Sequence, residues 1–120
     1  MPSDCIFCQI IEREMEAEIV YEDSEVMAFK DINPAAPVHL LIVPKKHIPT
    51  HQEVKEEDMY LLGKMHMVIN ELARAFQVAG DGYRVIVNCG QHSGQIVYHL
   101  HFHLLGGKPL TDSLAEGRGV

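Results

Sequence analysis

Three histidines occupy every second position of the segment Tyr98-His99-Leu100-His101-Phe102-His103-Leu104-Leu105. Imidazole titrates near neutral pH and serves as nucleophile, proton donor or metal ligand. In a strand, alternate side chains point to opposite faces. His99, His101 and His103 would therefore share one face, while Leu100, Phe102 and Leu104 anchor the other in a core. The outer rings would start ~13 Å apart at their Cα atoms, too far to converge easily on one ion with ~2 Å Zn–N bonds. A solvated strand face is the other plain reading, but such faces normally carry Lys, Glu and Thr. A row of reactive rings on a rigid base fits better. The preceding loop contains Gly90 and Gly94. Glycine lets backbone approach a ligand closely, and neighbouring N–H groups can bind phosphate. By itself this glycine pattern fits a flexible hairpin loop equally well.

A second group of chemically capable residues is the pair Cys5-x-x-Cys8. It reads as a metal site, a redox pair or two buried thiols. The redox reading is the weaker, because no thioredoxin-like βαβ pattern surrounds the pair. Cys89 reads as a small turn residue. His66 reads as structural, His51 and His92 as solvated loop residues, and Lys45 and Lys46 as surface charges.

Positioning these residues requires a sheet. Ile6, Phe7, Ile10 and Ile11 suit a short helix running to about residue 14. Residues 19–23 and 26–30 read as two strands joined in a hairpin, and 38–44 as an apolar third strand. Leu62, Met65, Ile69, Leu72 and Phe76 form a helical stripe, widened by Leu61, Val68 and Ala75. Gly80 and Gly82 end that helix. Residues 83–88 and 97–105 read as the fourth and fifth strands, and 108–120 as an irregular tail. The fold class is α+β: a five-stranded, mostly antiparallel sheet with one main helix and a short N-terminal helix.

Composition agrees with one domain over residues 1–120. Hydrophobic residues make up 47% and charged residues 22% of 120, as expected of a soluble globular chain. The formal net charge of −7 argues against binding a nucleic-acid polymer, but not against a small anionic ligand. No run approaches the ~18 apolar residues of a membrane span. The N-terminal residues lack the pattern of a signal peptide, so the expected compartment is the cytoplasm.

The segment from Gly94 to Gly107 is similar to the signature of the histidine triad (HIT) family, in its nucleotide-binding Hint branch. The resemblance extends through Cys5-Ile6-Phe7, Phe29-Lys30-Asp31-Ile32-Asn33-Pro34, Pro37-Val38-His39, Pro44-Lys45-Lys46-His47-Ile48 and Tyr83 to Asn88. It thus covers almost the whole chain. It implies a HIT-like fold, a homodimer whose sheets join, and hydrolysis of purine nucleoside phosphoramidates such as those of adenosine, giving AMP. It assigns His101 as the nucleophile, His103 as the phosphate contact that assists the transition state, and His39 as a further active-site histidine. Asn88, Gln95 and Val97 match positions at the phosphate and leaving group, with Gly94 in the same loop. Asp31 matches the ribose carboxylate, and Phe7, Ile10, Phe29, Lys30 and Ile32 match the wall around the base. Ile96 departs from the pattern, because many relatives carry a hydroxyl residue there. Some members with the N-terminal cysteine pair resemble a structural zinc site, which here would comprise Cys5, Cys8, His47 and His99. No motif suggests a catalytic cofactor. The competing functions are dinucleoside polyphosphate hydrolysis and a nucleotide- and zinc-binding interaction module with little catalysis. In relatives the C-terminal residues lie near the partner subunit's pocket, so residues 110–120 are expected to influence specificity.

Overall fold

A computed structural model describes residues 4–111. Five strands form one sheet: β1 (Ile19–Glu22), β2 (Val26–Lys30), β3 (Val38–Pro44), β4 (Tyr83–Val87) and β5 (Phe102–Gly106). Their order is β1-β2-β3-β5-β4, and every neighbouring pair is antiparallel. The expected "mostly antiparallel" sheet is thus wholly so among the described residues.

Both faces of the sheet are covered. Val26, Ala28, Leu40, Ile42, Phe102 and Leu104 point to one side and pack against α2 (Met59–Ala75). Alternate residues Met27, Phe29, Leu41 and Val43 point to the other and pack under α1 (Ile6–Ile11). The helix stripe is as expected at Leu61, Met65, Val68, Ile69 and Leu72, but Ala75 faces solvent and Ala73 takes the buried place. The N-terminal helix is shorter than expected. Arg13 turns into the left-handed region (φ 65°), and Glu14 donates back to the Gln9 carbonyl, which closes the helix.

The fifth strand needs a larger correction. Residues 97–101 lie outside the ladder, which begins where Phe102 pairs with Ile42 and Val87. β3 ends at Pro44, and the Leu100 N–H instead donates to the Ile48 carbonyl at 2.7 Å. Only His103 therefore sits on a laddered strand. The alternation survives in the extended approach, since Leu100 packs on the α2 side and His99 and His101 meet Phe7 on the α1 side. Residues 108–111 continue without helix or strand. The expectation for 110–120 falls mostly on 112–120, outside the described residues. No described helix is long and apolar enough to cross a membrane.

Candidate active site and metal-ligand cluster

His99, His101 and His103 are all buried, as is His39 on β3. His101 lies at the centre of the row. Its ring meets Phe7 edge-on at 5.0 Å and lies 5.2 Å from His103, centroid to centroid. His101 Nδ1–H donates to the His99 carbonyl at 2.7 Å. A carbonyl can only accept, so this bond holds the proton of the neutral ring on Nδ1 and leaves the in-plane lone pair on Nε2.

On one side of His101 lies a hydrogen-bond chain. Ala35 N–H donates to His39 Nδ1 at 3.0 Å. His39 therefore carries its proton on Nε2, which faces His103 Nδ1 at 2.9 Å and the Asp31 carboxylate at 3.4 Å. His103 Nδ1 accepts, so the His103 proton is on Nε2. Among the described residues that buried nitrogen has no hydrogen-bond partner. A buried donor of this kind needs an acceptor, and a phosphoryl oxygen supplies one. Burial pushes the His103 imidazole down to about 3, reinforced by the neighbouring His101 and His39, and burial lowers His39 as well. Both rings are neutral at pH 7. Asp31, His39 and His103 bring their donor atoms close enough for an ion. However, with His39 Nδ1 already accepting, Nε2 has a proton rather than a lone pair to offer. The group is a proton chain.

On the other side lie Cys5, Cys8, His47 and His99, whose ligand atoms fall within 4.8 Å of one another. His47 Nδ1 and His99 Nδ1 are 3.1 Å apart. Cys8 Sγ lies 3.2 Å from the former and 3.5 Å from the latter, and Cys5 Sγ is 3.4 Å from His99 Nδ1. His99 Nε2–H donates to the Pro44 carbonyl at 2.7 Å, which turns its Nδ1 lone pair inward. Tetrahedral geometry with Zn–N near 2.0 Å and Zn–S near 2.3 Å gives ligand separations of roughly 3.3–3.8 Å, so the set fits a metal ion. Burial and the adjacent Cys5 push the Cys8 thiol up to about 12, so a bound cation would have to displace its proton.

A largely apolar cavity of about 320 Å³ adjoins the imidazoles. Its lining includes Phe7, Ile10, Phe29, Lys30, Asp31, Ile32 and Val97, seven of the residues expected at the substrate. Phe7 and Asp31 reach from it to His101 and His39 respectively. Leu41 also lines the cavity and was not anticipated. The alternation of β3, which puts His39 and Leu41 on one face, could have flagged it. Asn88 directly follows β4, whose last residue, Val87, pairs with Phe102 next to His101 in sequence. Gln95 acts as a brace: its Oε1 accepts the Gly90 N–H at 2.8 Å, and its Nε2 donates to the Pro49 and Val97 carbonyls, both at 3.0 Å. Gly94 sits at φ +89° in the open loop. Away from the site, Lys45 and Lys46 pair with Glu22 and Asp58, each at 2.7 Å, and the His66 ring meets Phe102 at a tilt of 57°.

Fold and site describe a small α+β protein whose chemistry rests on buried imidazoles beside an apolar cleft. A family profile described as "Scavenger mRNA decapping enzyme C-term binding" matches residues 4–115. The chain is 49% identical over 116 residues to the purine nucleoside phosphoramidase of Escherichia coli strain K12, covering 97% of this chain and 98% of that protein. A solved HIT family hydrolase from Clostridium thermocellum superposes with a TM-score of 0.91 at 48% identity, covering 94% of this chain and 98% of that one. A HIT family hydrolase from Legionella pneumophila superposes with a TM-score of 0.89 at 45% identity, covering 91% and 97%. This chain belongs to the histidine triad family.

Proposed function

We propose that this chain is a purine nucleoside phosphoramidase, cleaving the P–N bond of adenosine 5'-phosphoramidates to give AMP and an amine. The observation that carries the reading is the His101 Nδ1–H bond to the His99 carbonyl, which makes Nε2 the attacking atom. His101 Nε2 bonds to phosphorus as the P–N bond breaks, and the departing nitrogen takes up a proton from solvent, which the water of the second step gives back. Water then displaces the nucleotide from His101. The two steps sum to phosphoramidate plus water giving nucleotide plus amine. His103 Nε2–H donates to a phosphoryl oxygen throughout. Gly94, Asn88, Gln95 and Val97 border the phosphate. Phe7, Ile10, Phe29, Lys30 and Ile32 enclose the base, and Asp31 accepts from the ribose hydroxyls. The strong identity to a phosphoramidase favours this reading over dinucleoside polyphosphate hydrolysis.

Cys5, Cys8, His47 and His99 would hold a structural zinc ion, since two thiols and two imidazoles in a tetrahedral set suit that metal. When bound it would supply cross-linking between α1 and the residues preceding β5. We read residues 1–120 as one domain of a cytoplasmic homodimer. The β4 edge and its exposed Val85 offer the surface for joining sheets.

The test is turnover of an adenosine 5'-phosphoramidate beside diadenosine polyphosphate. His101→Ala is expected to lower phosphoramidate turnover by at least about 10⁴-fold. The wild type should yield a transient nucleotidyl-protein adduct by mass spectrometry that the variant lacks. Unchanged turnover in the variant removes the nucleophile, and binding of AMP without turnover by the wild type leaves a binding module.

A further inference from the structure

Asp31 touches both the cavity and the proton chain. Its side chain is 5% exposed, and Oδ1 accepts the Asn33 N–H at 2.8 Å, which fixes the carboxylate. Oδ2 lies 3.4 Å from His39 Nε2. Because Ala35 N–H occupies His39 Nδ1, the ring has one proton, on Nε2, and two acceptors in front of it: His103 Nδ1 at 2.9 Å and Asp31 Oδ2. A carboxylate is the stronger acceptor and draws on that proton even at the longer distance. To the extent that it does, His103 Nδ1 loses its donor and the His103 proton is no longer confined to Nε2.

We propose that Asp31 is a positioning residue that couples sugar occupancy to the catalytic imidazoles. A ribose diol donating to Asp31 Oδ2 would satisfy that oxygen and release His39 Nε2–H wholly to His103 Nδ1. His103 is then held in the tautomer that presents Nε2–H to the phosphoryl group. The sugar hydroxyls thus contribute to rate as well as to affinity. This rests on Asp31 being the ribose carboxylate and gives that contact a second consequence. The effect is a bias between tautomers, because His103 is already the nearer acceptor. A change of roughly three- to tenfold in kcat is expected, the size of one hydrogen bond.

The experiment compares adenosine 5'-phosphoramidate with its 2',3'-dideoxy analogue on the wild-type protein and on Asp31→Asn, measuring KM and kcat separately. Nitrogen-15 NMR of the imidazoles is recorded on the wild-type protein with AMP and with 2',3'-dideoxy-AMP. The expected result is a dideoxy penalty in both KM and kcat for the wild type. The kcat part should disappear in Asp31→Asn, and the His103 Nε2–H tautomer should be enriched by AMP but not by the dideoxy nucleotide. A penalty confined to KM, with identical ring-nitrogen shifts for both nucleotides, overturns the coupling and leaves Asp31 as a sugar contact. No penalty in either constant for the wild type removes the ribose contact itself, and the coupling with it.

Discussion

Two clusters flank His101 on the same face of the sheet, and both hold two imidazoles, beside two thiols in one and a carboxylate in the other. Around His99 and His47 the ring nitrogens turn toward a common centre with two sulfurs. Around His39 and His103 they alternate donor with acceptor. The rings themselves are identical; the backbone group behind each ring differs. A carbonyl, that of Pro44, stands behind His99 and takes its N–H, so a lone pair faces inward. An amide, that of Ala35, stands behind His39 and takes its lone pair, so a proton faces inward. A carbonyl, that of His99, stands behind His101 as well and takes its Nδ1–H, so the lone pair is on Nε2. What the chain places at the back of each ring thus separates His99 and His101, which keep a lone pair to offer, from His39, which offers a proton.

The largest expected effect breaks the first cluster. Cys8→Ser, or treatment of the wild type with a strong chelator, should remove bound zinc and lower stability by about 3 kcal/mol or more, as calorimetry and metal analysis would register. A chelator should not shift the variant further. The second cluster is tested by pH. The His103 pKa is depressed in the folded state to about 3, from an ordinary value near 6.5, by burial and by His101 and His39. Below pH 6.5 the unfolded chain takes up a proton that the folded chain refuses. The stability linked to His103 is therefore complete above pH 6.5 and is lost as pH falls toward 3. From pH 7 to pH 5 this amounts to about 2 kcal/mol, and His103→Gln should flatten that part of the denaturation profile. An unaltered profile would mean that His103 is not held neutral. The smallest effect concerns the loop that precedes the histidines. Gly94→Ala places a Cβ at φ +89°, where space is open but the backbone is strained. A loss of about 1 kcal/mol is expected in chemical denaturation.

Much of this was legible from residue types. The unbroken apolar run of residues 38–44 predicts the third strand, the alternation of His99, His101 and His103 with Leu100, Phe102 and Leu104 predicts their opposite faces, and the resemblance to the histidine triad family named the cavity wall from Phe7 to Val97 in advance. Two things were not legible. The length of β5 depends on where β3 stops and on Ile48 capturing the Leu100 N–H, a tertiary contact with no local signature. The tautomers depend on main-chain groups of Ala35, Pro44 and His99, and every residue type carries such groups, so a sequence does not mark them.

His99 belongs to both halves of this arrangement at once: its ring faces the thiols, and its carbonyl accepts the hydrogen bond from His101 Nδ1–H. Integrity and reactivity are therefore tied in a single peptide unit. Any substitution that lets this residue drift to relieve the sulfur side also swings the acceptor that aims His101, so neither property is open to adjustment alone.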